Sequence, residues 1–143
     1  MIDLIDKNIL AILRNRASIP FLEISKELKV SESTLRHGVR HLEAQGIIKR
    51  YSASIDTMKI GYGSGAYVGI DMQPEKFLEV AHELTRFDNV KMVSTTSRDH
   101  LIMAEIWGEK AAELREFISN RIAKITGVVR TCPAIITETL KDK

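Results

Sequence analysis

Residues 31–50 read SESTLRHGVRHLEAQGIIKR, and this stretch carries its own helix start and stop signals. Ser31 is a good N-cap with Glu32 beside it, and Gly46 supplies a residue able to turn left-handed past a C-terminus. Between them Leu35, Val39 and Leu42 fall at i, i+4 and i+7, so they define one apolar face. Ser33, Thr34, Arg36, His37, Arg40 and His41 are left on the other surface, which is basic and rich in hydrogen-bonding groups. Upstream, Pro20 suits the first turn of a shorter helix with Phe21, Ile24 and Leu28 on its inner side. Before that, DLIDKNILAILRN over 3–15 has Ile5, Ile9, Ile12 and Leu13 at helical spacing, with Asp3 as cap and Asp6 near the positive helix end. Three helices are therefore predicted, the last two joined by the turn LKVS.

Downstream of Gly46 the pattern changes. IIKRYSASID is β-branched and polar without helical spacing, which predicts a short strand, a turn near Ser52 and a second strand. TMKIGYGSG then places three glycines within five residues, so a boundary is expected at 57–61 between a domain over 1–56 and another over 62–143. In the second domain AYVGIDM reads as a strand, PEKFLEVAHELTRF as a helix, and VKMVSTTS and HLIMAEIW as strands around a polar turn. EKAAELREFISNRIAKI follows as a helix with Leu114, Phe117, Ile118, Ile122 and Ile125 on one side, and VVRTCPAIITETL as a last strand. This βαββαβ order is the ferredoxin-like arrangement, with both helices on one face of an antiparallel sheet and the other face in need of a partner. The expected fold class is α+β, an N-terminal winged helix-turn-helix followed by a ferredoxin-like domain.

Two helices joined by a short turn, the second with a basic outer face, have the geometry by which a helix enters the DNA major groove while its neighbour braces it on the backbone. Arginine can fork onto guanine edges or phosphates, and hydroxyls can meet phosphates. The competing interpretation is an ordinary three-helix bundle with a solvated charged face. Charge distribution adds modest support. Residues 1–60 hold 10 Lys and Arg against 7 Asp and Glu, whereas residues 61–143 hold 11 against 12. Apolar residues at 44% and charged ones at 28% exclude a disordered chain. Cys132 is the single cysteine, so an intramolecular disulfide and a Cys-rich zinc site are excluded. With no signal-peptide pattern and no apolar run of membrane length, a cytoplasmic protein is expected.

The stretch 3–56 resembles the N-terminal domain of the Lrp/AsnC family of regulators, also called feast/famine regulatory proteins. The likeness lies in the D-x-x-D-x-x-I-L opening, the S-x-S-T-L start of the third helix and the L-E-x-x-G-I-I-x-x-Y exit. The βαββαβ order is similar to that family's effector-binding domain. The resemblance implies that Ser31 caps the recognition helix, that Ser33, Thr34, Arg36, His37, Arg40 and His41 are candidates for contact with double-stranded DNA, and that Lys49 and Arg50 at the wing meet phosphate. It further implies a homodimer or a higher oligomer up to an octamer, paired through the open sheet face and reading pseudo-palindromic promoter sites. Two recognition helices are needed about 34 Å apart, because one helix spans only a few base pairs. Two departures stand out. Gly38 occupies the recognition helix where a basic residue is frequent, and should weaken the isolated helix by about 1 kcal/mol relative to Ala. Lys29 occupies a turn position where a small residue, or one tolerant of the left-handed conformation, is frequent.

Family members bind an amino acid near a G-x-x-D turn between the second and third strands of the sensing domain. Here the turn is Thr96-Ser97-Arg98-Asp99, which keeps the Asp but has Thr96 in place of the Gly; with His100, which follows, these are the effector-binding candidates. Asp99 can take an ammonium and Arg98 a carboxylate, although a plain polar hairpin turn would have the same composition. No cofactor beyond an amino-acid effector and no metal site is expected. His37 and His41 stand at i, i+4 but lack the Glu of a zincin motif and a third ligand. Ser97, Asp99 and His100 lack a nucleophile elbow, so an enzyme of ferredoxin-like fold is not the expected function. Cys132 reads as a packing residue and Trp107 as core or interface. The alternative from another class is a small-molecule- or metal-responsive module whose helical half contacts protein.

Overall fold

A computed structural model describes residues 2–141. The chain falls into two compact units, one running to Ile55 and the other spanning Asp56–Leu140.

The first unit contains α1 (Leu4–Asn15), α2 (Phe21–Leu28) and α3 (Glu32–Ala44). Each start has a local cause. The Asp3 carboxylate accepts from the Asp6 backbone N–H at 2.7 Å and the Asp6 side chain accepts from the Asp3 N–H at 3.3 Å, closing a reciprocal capping box. Pro20 stands one position earlier than expected, as the N-cap of α2 rather than inside its first turn. Lys29 takes the left-handed conformation (φ 55°, ψ 41°) and its N–H satisfies the last carbonyls of α2, which turns the chain into α3. Ile9, Leu13, Ile24, Leu35, Val39 and Leu42 make the core, with Ile47 and Ile48 packed against it. Ile5, expected in the buried stripe, is 40% exposed. Gly38 has a packing role beyond its cost in propensity. A Cβ there would lie 3.2 Å from Ile9 Cδ1, so α1 and α3 approach closely at this point.

The strand pair expected over 47–56 is corrected by the structure. No strand is formed there, and the segment after Ile48 is irregular. An isolated two-stranded ribbon is marginal without a face to bury. Tyr51 and Ile55 are about half exposed, and the Tyr51 hydroxyl bonds back to Glu43 of α3 at 2.7 Å instead of joining a hairpin.

The second unit contains β1 (Ser64–Met72), α4 (Phe77–Leu84), β2 (Val90–Thr95), β3 (Ile102–Gly108), α5 (Ala111–Phe117) and β4 (Val128–Ile136). Residues 57–61 carry a 3-10 turn over Met58–Ile60, and another precedes α4 over Pro74–Lys76. The expected long second helix is in two parts, since α5 passes into a π-helical turn over Ile118–Ile122. Strand order is β2-β3-β1-β4 with every pairing antiparallel, the ferredoxin-like topology. Period-two alternation sends Ala66, Val68, Ile70 and Met72 of β1 inward with Ile102, Ala104 and Ile106 of β3. They meet Val80 and Leu84 of α4 and Leu114, Ile118 and Ile122 from the α5 region. Tyr67, on the other side of β1, is 43% exposed. Pro133 is accommodated because β4 is an edge strand. Among the described residues, no helix is long and apolar enough to cross a membrane.

Candidate nucleic-acid interface

Helix α3 presents its polar residues on one surface. Ser31, Ser33, Thr34, Arg36, His37, Arg40 and His41 are all exposed, while Leu35, Val39 and Leu42 are buried beneath them. Ser33, Arg36, His37 and Arg40 stand at i, i+3, i+4 and i+7, and with Glu32 they line a shallow concavity. Ser31 and Thr34 hold the helix start: the Thr34 N–H donates to Ser31 Oγ at 3.0 Å and the two hydroxyls lie 2.7 Å apart. Ser31→Ala should lower the stability of this unit by about 1 kcal/mol, the usual worth of an N-cap, as read by urea unfolding.

Arg36 is oriented before any ligand arrives. Its guanidinium stacks over the Phe21 ring at 5.2 Å and donates to Glu32 Oε1, from Nε at 3.0 Å and from Nη2 as well. Both partners of this ion pair are partly exposed, so it contributes little stability, and a phosphate can compete for the arginine. Glu32→Gln should therefore tighten DNA binding a few-fold, freeing Arg36 and removing a carboxylate from the polar surface of α3. Unchanged or weaker affinity in a titration would show that Glu32 orients Arg36 rather than competing for it. Lys49 and Arg50 are exposed on the irregular segment beyond α3. Next to them, partial burial and then the Glu43 carboxylate push the Tyr51 hydroxyl up to about 12.

The effector candidates separate into two groups. Thr96, Ser97, Arg98 and Asp99 form one exposed turn, closed by Thr96 N–H to Leu101 O at 3.0 Å and by Thr96 Oγ1 to His100 O. Arg98 adopts φ 81°, uncommon for a residue with a Cβ. His100 is directed to the open face of the sheet, where its Nδ1 lies 2.9 Å from Asp71 Oδ1, and Arg130 Nε donates to Asp71 Oδ2 at 2.8 Å. These two bonds, His100 first, hold the Asp71 carboxyl below the usual carboxylate range. His100, in the loop between β2 and β3, thus pairs with a carboxylate on β1 rather than with Asp99 or Ser97. Asp71 and Arg130 were missed by sequence reasoning, and the signal that finds them is strand register, which sets Asp71 opposite Arg130. Trp107 is half-buried, donates to Glu105 at 2.7 Å and has Tyr62 at 5.5 Å between ring centres.

Comparison with known proteins gives the same two parts. Residues 2–49 match the family "Winged helix-turn-helix DNA-binding", and residues 67–143 match "PF0864 C-terminal dimeric alpha+beta barrel domain". The HTH-type transcriptional regulator LrpA of Pyrococcus horikoshii is 47% identical over 141 residues, covering 99% of this chain and 100% of that protein. LrpA1 of Halobacterium salinarum is 34% identical, covering 95% of this chain and 96% of its own length. Among solved structures, AsnC of E. coli superposes with a TM-score of 0.88 at 22% identity, covering 100% of this chain and 97% of that one. The Neisseria meningitidis regulator NMB0573, solved as an L-Met complex, superposes with a TM-score of 0.91 at 16% identity, covering 99% and 94%. These likenesses to solved structures show the shared fold. Relatives named as transcriptional regulators across nearly the full chain, with a DNA-binding helix-turn-helix at its start, exclude an enzyme as the reading. The chain belongs to the Lrp/AsnC family and is a DNA-binding transcriptional regulator.

Proposed function

We propose that the protein acts in the cytoplasm as a homodimer or higher oligomer that reads pseudo-palindromic sites in double-stranded DNA and responds to an amino acid. The observation that carries this reading is the exposed Ser33, Arg36, His37 and Arg40 surface on a helix whose start is capped and whose reverse is fully packed. Such a helix offers bidentate arginine to guanine O6 and N7 and hydroxyls to phosphate, while Lys49 and Arg50 extend the positive surface along the backbone. A dimer supplies the second helix that useful specificity needs. The matched family's description as a dimeric barrel domain and the open face of the sheet both support pairing there.

The proposed effector site is the turn Thr96 to Asp99. An exposed carboxylate at Asp99 and guanidinium at Arg98 complement the two charges of a free amino acid. The L-Met complex of the Neisseria regulator supports an amino acid as the class of ligand. A thermal-shift screen of the purified protein against the common amino acids tests this. A ligand at a hundred times its Kd stabilises by about 2.7 kcal/mol, and the shift should vanish in Asp99→Ala. Absence of a shift with every amino acid, or a shift untouched by Asp99→Ala, would remove this turn from the regulatory scheme while leaving the DNA-binding reading in place.

A further inference from the structure

The open face of the sheet brings together an imidazole, a thiol and a carboxylate that neither DNA binding nor amino-acid recognition uses. On β1, Gly69 and Asp71 point to the same side, and β4 sets Cys132 opposite Gly69 and Arg130 opposite Asp71. His100 arrives from the loop between β2 and β3 and lies across β1. Only glycine permits this, since a Cβ at position 69 would stand 2.3 Å from His100 Cδ2. Donor atoms of Asp71, His100 and Cys132 then lie within 4.8 Å of one another, and all three residues are half-buried.

We propose that Asp71, His100 and Cys132 form a binding site for a borderline-soft divalent cation of the zinc class. The donor set selects the metal. Calcium and magnesium take oxygen ligands and leave thiols alone, whereas zinc accepts thiolate, imidazole and carboxylate in one tetrahedral shell. Metal–ligand bonds of about 2.0–2.3 Å put tetrahedral ligand atoms about 3.3–3.6 Å apart. His100 Nδ1 and Asp71 Oδ1 at 2.9 Å are close to such an edge, and a neutral imidazole that keeps its proton on Nε2 presents Nδ1 to the cation. The thiol reaches the same point by closing from within 4.8 Å. Binding releases the thiol proton, after which Asp71 and Cys132 together carry the two negative charges that neutralise a divalent cation.

The surroundings suit that role. Arg130 bonds the other oxygen of Asp71, leaving one carboxylate oxygen for a metal and fixing its direction, as a second layer of contacts does at metal sites. Three protein ligands leave a fourth position for water or for a group of the second copy proposed to pair on this same face of the sheet. The site is separate from the His37 and His41 pair on α3. It touches the proposed effector turn through His100, so its test is made with metal alone.

Cobalt(II) is the probe, added to the purified full-length chain under a phosphine reductant. The expected result is an intense near-ultraviolet thiolate-to-cobalt band together with the visible bands of tetrahedral cobalt, both displaced by Zn²⁺. Cys132→Ser, a near-isosteric change on an edge strand, should abolish the thiolate band with an unchanged circular dichroism spectrum. Asp71→Asn should weaken Zn²⁺ binding at least tenfold. Gly69→Ala, which alters no ligand residue but displaces the imidazole, should do the same, and His82→Ala on α4 should bind as the native chain does. If Gly69→Ala fails to fold, Cys132→Ser and Asp71→Asn still decide the matter. A cobalt spectrum without the thiolate band, or Zn²⁺ affinity lost in His37→Ala and retained in Cys132→Ser, would overturn the assignment.

Discussion

Replacing Arg36 and Arg40 together by alanine should weaken DNA binding by about two orders of magnitude or more, with the helix itself intact. Each arginine that forks onto a guanine edge carries about 1–3 kcal/mol of recognition. Each that instead meets a phosphate contributes about 0.9 to the slope of log affinity against log salt. Both are exposed, and they stand one turn apart on the surface opposite Leu35, Val39 and Leu42. Alanine is the better helix former, so the far-ultraviolet circular dichroism should be unchanged. The two losses need not add, because neighbouring contacts on one helix couple. Single substitutions should separate the roles: a phosphate contact lowers affinity for all sequences alike, while a base contact relaxes preference at one position. If the double variant keeps both its affinity and its salt slope, α3 is not the helix that reads DNA.

Leu35→Ala should cost about 2–5 kcal/mol, the range for emptying a fully buried leucine site. The site has little room to collapse around the loss, since Leu35 sits with Ile9, Ile24, Val39 and Leu42, each at most 1% exposed. A unit of this size has a small margin of stability, so the change removes much of it. The sheet has its own core, formed by a separate cluster of residues. Hydrogen exchange should therefore show α3 amides losing protection while those of β1 and β3 keep theirs. Equal loss in both units would mean that the two cores unfold as one.

Those expectations depend on features with different visibility in the sequence. The limits of α3 were legible because cap, stripe and terminating glycine are local signals, each acting within a few residues. The sheet was legible for a similar reason, since alternation over Ala66, Val68, Ile70 and Met72 records which side faces the helices. The segment 47–56 was not, because β-branched and polar residues suit a strand but do not provide a partner, and here Tyr51 bonds to Glu43 instead. Gly38 read as a weak point in a helix until its 3.2 Å approach to Ile9 supplied a reason for a small residue. The pairing of His100 with Asp71, 29 residues away, and of Asp71 with Arg130, 59 away, depends on strand register, which local pattern does not encode. At the α3 surface the residue types were readable, whereas the stacking of Arg36 on Phe21 and its ion pair with Glu32 emerged only from the packed helices.

The central claim, that α3 reads DNA from a symmetric assembly, is tested most directly by selecting bound sites from a random-sequence duplex library with the native chain. The expected result is enrichment of a pseudo-palindromic motif whose half-sites are centred about 10 base pairs apart, or a multiple of that spacing, and whose enrichment is lost with Arg36→Ala and Arg40→Ala. Recovery of no motif, or of the same motif with the double variant, would contradict it.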